Sequence, residues 1–172
     1  MLLFNEWTSQ VTTRGGIGLN IRPASTDDKD RVLSFLQAAS PRDLRFRFLS
    51  AVKASESLAR ILTDVDHRDT EDLIAFDAHD DSIVATAMIA KGEAPDLAEV
   101  AILVRSDLKK LGIGWEMLRQ ASDYAKARGY RRIECIESSS NEAAMTLERE
   151  QGFQASLSPG NSEVTILTRN LE

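Results

Sequence analysis

Apolar residues recur along this chain at two spacings, and the switches between them outline its elements. Residues 19–22 alternate as a short strand that stops at Pro23, which lacks a ladder donor. Ser25-x-x-Asp28 is a capping-box-like helix start, followed by Val32, Leu33, Phe35 and Leu36 at helical spacing. Ser40-Pro41 begins a second helix, with serine as N-cap and proline in the first turn. Leu44, Phe48 and Leu49 form its apolar side, with Arg42, Arg45 and Arg47 elsewhere. A third helix covers about 55–63, with Leu58, Ile61 and Leu62 inward. The period then falls to two. Residues 73–76 and 83–90 read as an antiparallel hairpin around an aspartate-rich turn at 77–81. Leu97–Val104 is apolar on both faces except at Glu99, which predicts a central strand.

A long helix is predicted over 112–128, with Ile113, Met117, Leu118, Ala121, Tyr124 and Ala125 as its buried stripe and Gly129 as its C-terminal stop. A strand at 131–137, a polar loop at 138–140 and a helix at 141–150 follow. Gly152-Phe153 starts another strand, Pro159-Gly160 turns the chain, and residues 164–168 close the sheet. Antiparallel strands thus precede a strand–helix–strand crossover. The expectation is one α+β domain over 19–172 with a mixed central β-sheet of six to seven strands and four to five flanking helices. Residues 1–18 carry no periodicity and read as an N-terminal lead-in, with Trp7 against the domain surface.

Bulk composition narrows the function. The chain has 172 residues, 42% hydrophobic and 28% charged, as expected of a soluble globular protein. No apolar run approaches the roughly 20 residues of a membrane helix, and the first ten residues lack the basic start of a signal peptide. Cys135 is the one cysteine, so no internal disulfide forms, which suits the cytoplasm. A net charge of −6 argues against a nucleic-acid partner and is compatible with a cationic acceptor. Monomer and homodimer are both open.

The stretch with chemical content is 100–118, VAILVRSDLKKLGIGWEML. It passes from strand through a glycine-bearing loop into a helix. The first N–H groups of a helix have no internal partner, and its dipole favours an anion there. Gly112 and Gly114 permit close approach to the backbone. A dinucleotide fold would need a third glycine at position 117, which is Met, and the loop would follow the first strand of a parallel sheet. A P-loop would need Gly-Lys-Ser/Thr, which is absent.

Lys109-x-x-Gly112-x-Gly114 resembles the Q/R-x-x-G-x-G/A loop of the GNAT superfamily of acyl-CoA-dependent N-acetyltransferases. Asn141 with Ala144 and Gly152-Phe153 resembles that family's second signature. The segments SPRDLRFRF, EDLIAF, AEVAILVRSDLKKLGIG and NEAAM are similar to the acetyltransferase domain of bacterial Pat-type protein lysine acetyltransferases, over about residues 7–169. The 172 residues leave no room for the large acyl-CoA-synthetase-like domain often attached there, nor for a cyclic-nucleotide-binding domain.

The resemblance implies acetyl-CoA as the acyl donor and no metal. Backbone N–H groups of Lys110, Leu111, Gly112, Ile113 and Gly114 would hold the pyrophosphate, with Lys109 at the position where the family prefers Gln or Arg. The backbone of Ile102, Leu103 and Val104 would pair with the pantetheine arm as with an added strand. Asn141 would hydrogen-bond the pantetheine near the thiol. Glu99 matches the general base of Pat-type domains. Burying an unpaired carboxylate is costly, so the alternative is a structural pair with Arg45 or Arg47, or a solvated strand start.

The tyrosine that protonates the leaving thiolate in many relatives falls at Glu148 here, and Pat-type domains commonly lack it. A thiolate can leave without a dedicated acid. Arg42, Arg45 and Arg47 read either as acceptor recognition or as a solvated basic face with one internal ion pair, the second preferred. His67 and His79 read as surface residues, and Cys135 as core. The expected function is transfer of an acetyl group to a primary amine, a protein lysine before a small amine. The competing reading is a non-catalytic acyl-CoA sensor.

Overall fold

The computed structural model describes residues 7–172; residues 1–6 of the lead-in lie outside the described residues. The elements run β1 (Ser9–Thr12), β2 (Gly18–Pro23), α1 (Lys29–Ala38), α2 (Pro41–Phe48), α3 (Glu56–Thr63), β3 (Thr70–Asp77), β4 (Ile83–Lys91), β5 (Leu97–Val104), α4 (Ile113–Ala127), β6 (Arg132–Ser138), α5 (Glu142–Glu150), β7 (Gln154–Ser158) and β8 (Asn161–Asn170). They form a mixed α+β fold around one eight-stranded sheet in the order β1-β2-β3-β4-β5-β6-β8-β7. The strand count exceeds the expected six to seven. The extra strand, β1, is drawn from the aperiodic lead-in and pairs antiparallel with β2 at the sheet edge. An edge strand needs no alternating apolar face, which is why periodicity missed it.

Local chemistry explains most boundaries. Ser25 and Asp28 complete the capping box read from sequence, and Arg22 grips both Asp28 oxygens at 2.8 Å. Ser40 and Ser55 accept from backbone N–H groups at the starts of α2 and α3. The sheet carries a core on each side. Leu73, Ala87, Val100, Met117, Leu118 and Ile133 belong to the α4–α5 side. Val32, Leu36, Leu44, Leu62, Ile74 and Leu103 belong to the α1–α3 side. No helix among the described residues is long and apolar enough to cross a membrane.

The feature that positions a site is the junction of β5 and β6. Among the described residues all other neighbours are antiparallel and this pair alone is parallel, lasting only for Leu97↔Arg132, Ala98↔Ile133 and Glu99↔Glu134. Beyond Glu99, β5 stays on β4 as far as Val104, and β6 stays on β8 as far as Ser138. The two central strands therefore splay into a V. The β5 edge that faces the V has backbone groups with no ladder partner, an arrangement a buried chain rarely leaves unused.

Candidate active site

A cavity of about 800 Å³ opens through the V. One wall is β5, from Ala101 through Ile102, Leu103 and Val104. The opposite wall is Ile136 and Glu137 of β6, with Asn141, Ala144 and Glu148 of α5. The outer end is the loop Lys109–Lys110–Leu111–Gly112–Ile113–Gly114, and the α2 side is Arg42, Asp43, Phe46 and Arg47. Every residue assigned from sequence to the donor thus borders one space. Glu99 lies at the vertex, two residues before Ala101 on the same strand face, just beyond the lining.

The loop end of the cavity is built by backbone conformation. Lys110 and Gly112 take positive φ, 65° and 83°. Gly112 is the N-cap of α4 and offers no side-chain oxygen, whereas α2, α3 and α5 are capped by Ser40, Ser55 and Asn141. The leading N–H groups of this fifteen-residue helix are therefore left for a ligand. A Cβ on Gly114 would enter the cleft between Leu147 and Val104, 3.3 and 3.6 Å away. These observations fit a pyrophosphate with an extended amide arm behind it.

The loop is held from outside by residues that sequence did not single out. Thr13 Oγ1 donates to the Leu111 carbonyl at 2.7 Å, and the Gly15 N–H donates to the same oxygen at 3.1 Å. Gly15 is obligatory, because a Cβ there would come 2.5 Å from that oxygen. Arg14, from the same turn, stacks over Trp115 at 4.8 Å at the cavity mouth. The Gly15-Gly16 pair was the one visible signal for this buttress. Lys109 is tied to Asp43 at 3.5 Å, and Ser106 Oγ donates to Asp43 at 2.6 Å, so α2 is anchored to the loop.

Carboxylates cluster around the V. Glu99 pairs with neither Arg45 nor Arg47; its register partner is Glu134. Burial, then the charge and hydrogen bond of Glu99, push the Glu134 pKa up. Asn141 caps α5 through Oδ1, which accepts from the Ala144 N–H at 3.4 Å, while its Nδ2 donates to Glu137 at 3.3 Å. Glu148 is buried, and burial followed by Glu137 raises its pKa.

Two further expectations need correction. Arg47 is not part of a solvated face: its Nε is enclosed without a partner, its guanidinium covers the Phe48 ring, and its field reaches Asp72 and Glu137. Desolvation lowers its pKa. Arg42 and Arg45 are exposed, as read. His67 is only a third exposed, and its Nδ1 lies 2.8 Å from the buried Glu71 carboxylate. His79 is exposed, and Cys135 is a buried core thiol whose pKa burial pushes up. No group of metal-ligating side chains occurs among the described residues.

Comparison with known proteins agrees with this geometry. The model of the acetyltransferase (GNAT) family matches residues 38–153. Acetyltransferase PA5475 of Pseudomonas aeruginosa is 29% identical over 150 residues, covering 85% of this chain and 80% of that protein. The crystal structure of the GNAT domain of S. lividans PAT superposes with a TM-score of 0.87 at 24% identity, covering 96% of this chain and 97% of that one. A phosphinothricin acetyltransferase from Sinorhizobium meliloti, solved in complex with AcCoA, gives 0.72 at 17% identity, covering 89% and 88%. At these identities the two structures speak for the fold.

Proposed function

This chain belongs to the acetyltransferase (GNAT) family and uses acetyl-CoA, and from that premise we propose that it acetylates a primary amine, a protein lysine first among them, with Glu99 as general base. The single observation that carries the reading is the V. A free strand edge and an uncapped helix start lie along one cavity, with a carboxylate at the vertex just beyond its lining. Lys110, Leu111, Gly112, Ile113 and Gly114 offer their N–H groups to the pyrophosphate, with Lys109 adding charge at the rim. The edge of Ile102, Leu103 and Val104 takes the amides of the arm, and Asn141 meets the arm near its sulfur end.

A lysine amine is protonated at neutral pH and cannot attack until a proton leaves. Glu99 takes that proton, directly or through one water. Glu134 beside it and Glu93 in the preceding loop add negative potential that favours an incoming ammonium. The sequence segments shared with Pat-type domains support a protein acceptor over a small amine. A chain with one cysteine suits the cytoplasm, which belongs to the same reading.

Thiol release from acetyl-CoA against a panel of lysine peptides and small amines tests this, with calorimetry of acetyl-CoA alone as the binding control. Transfer to peptide lysines is the expected result. Tight acetyl-CoA binding with no turnover on any acceptor would leave a sensor module in place of an enzyme.

A further inference from the structure

One charged group that borders the cavity has no counterion. Arg47 lies on α2 one turn after Asp43, whose contacts with Ser106 and Lys109 fix the start of that helix at the loop. The helix then carries Arg47 inward over β4 and β5. Its Nη2 donates to Met88 Sδ at 3.8 Å, its guanidinium covers the Phe48 ring at 4.5 Å, and its Nε is enclosed without a partner. Arg47 makes no ion pair among the described residues, yet it lines the open cavity. A half-desolvated cation in such a place gains most from a carboxylate that arrives with a ligand.

The carboxyls around Arg47 are committed elsewhere or neutral. Asp72 of β3 stands opposite Met88 in the strand register and is fully buried without a hydrogen-bond partner. Burial pushes its pKa up to about 8, so it is mostly protonated at neutral pH. Glu137 acts on Arg47 from β6, and burial raises its pKa too. Asp43 is held by Ser106 and Lys109. Arg42, exposed and stacked on Phe46 at 5.1 Å, lines the same side of the cavity, so α2 presents two guanidinium groups to it.

The same face of the sheet carries the opposite charge at the vertex. Leu103 packs in the core on the α1–α3 side, so Ala101 and Glu99, alternate residues of β5, project to that side. Ile133 and Cys135 pack in the other core, so Glu134 projects to the α2 side beside Glu99. Met88 stands opposite Ala101. Arg47 is therefore one strand period from Glu99, about 7 Å along β5. An acceptor seated there meets acid at its amine and a guanidinium well away from it. An α-amino acid acetylated at its own α-nitrogen cannot span this, because its carboxylate is two bonds from that nitrogen. A lysine side chain that enters the vertex brings its flanking residues over α2.

We propose that Arg47 is an acceptor-specificity residue that pairs with the carboxylate of an aspartate or glutamate flanking the target lysine, with Arg42 adding charge at the rim. The assignment rests on the protein-lysine reading above. It makes the acceptor a lysine in an acidic stretch of sequence.

Matched peptides test this, each with one lysine and with aspartate or asparagine placed in turn at the flanking positions. Thiol release gives kcat and KM for each member of a pair. Wild type is expected to favour the best-placed aspartate over asparagine by about ten- to a hundredfold in kcat/KM, chiefly through KM. In Arg47→Gln that ratio falls to about one, and Arg47→Lys, which keeps the charge without the planar fork, retains part of it. Calorimetry with acetyl-CoA verifies that each variant folds. An Arg47 that only supports the fold would lower the rates on both peptides together and leave the ratio in place. Equal use of aspartate and asparagine peptides by wild type, a ratio kept in Arg47→Gln, or free lysine preferred over every peptide overturns the proposal. Wild-type transfer to peptide lysines without the ratio refutes the role of Arg47 alone, whereas no transfer to any acceptor removes the transfer reading with it.

Discussion

Glu99 stands opposite Glu134 in the last register pair between β5 and β6, and the two strands part immediately beyond it. The vertex of the site is thus a pair of like charges. Burial and the charge of Glu99 hold the Glu134 pKa above its ordinary value. Glu134→Gln removes a carboxyl from the vertex, and the KM for a cationic acceptor is expected to rise with acetyl-CoA affinity unchanged. An unchanged KM would mean that Glu134 does not help to draw in the acceptor.

Glu99→Gln removes the proposed base and leaves the loop from Lys109 to Gly114 untouched. Acid–base groups of this kind contribute about 10²- to 10⁴-fold. Turnover on the best acceptor is expected to fall within that range, while calorimetric acetyl-CoA affinity stays at the wild-type value. A variant with the wild-type rate and pH profile would show that the proton leaves by another route.

Gly112 carries two constraints at once. Its φ is 83°, and a Cβ would come 3.1 Å from the Arg14 backbone nitrogen. The left-handed conformation costs a non-glycine residue roughly 1–2 kcal/mol, and relief of the contact would shift the loop from its buttress. Gly112→Ala is expected to lower acetyl-CoA affinity about tenfold or more, tenfold being about 1.4 kcal/mol, and to reduce the melting temperature. Undiminished affinity would refute the cradle.

Asp72 is fully buried with both carboxylate oxygens unpartnered. Burial pushes its pKa from 3.8 up to about 8, against the charge of Arg47. A raised carboxyl pKa means that the folded state binds a proton which the unfolded chain releases. Stability contributed by this group is therefore present at low pH and lost as pH rises from about 4 to about 8. Asp72→Asn mimics the protonated form. Its stability relative to wild type is expected to improve between pH 5 and pH 8 by on the order of 1–3 kcal/mol in urea unfolding. A difference independent of pH would place the ionised form in the fold.

Much of this was legible from local pattern. The helix starts at Ser25, Ser40 and Ser55, the central strand Leu97–Val104 and the loop from Lys109 to Gly114 appear where residue chemistry put them. Capping, period and positive φ act within a few residues, so they leave a local trace. Glu99 was visible for the same reason, as one charge in an apolar strand.

Other parts have no local trace. β1 lacks periodicity because an edge strand has no obligatory apolar face. Thr13 and Gly15 reach Leu111 across nearly a hundred residues. Arg47, which looked solvated on its helix, is drawn inward where α2 covers the V. The juxtapositions of Glu99 with Glu134 and of Glu137 with Glu148 exist only once the crossover through α4 lays β6 parallel to β5 and α5 packs over the gap. Sequence by itself determined the glycine-bearing loop, the strand that carries Glu99 and the α+β class, because each depends on backbone preference and burial of near neighbours. Tertiary structure alone decided which carboxyls face one another, because β6 and α5 reach β5 only through contacts distant in the chain.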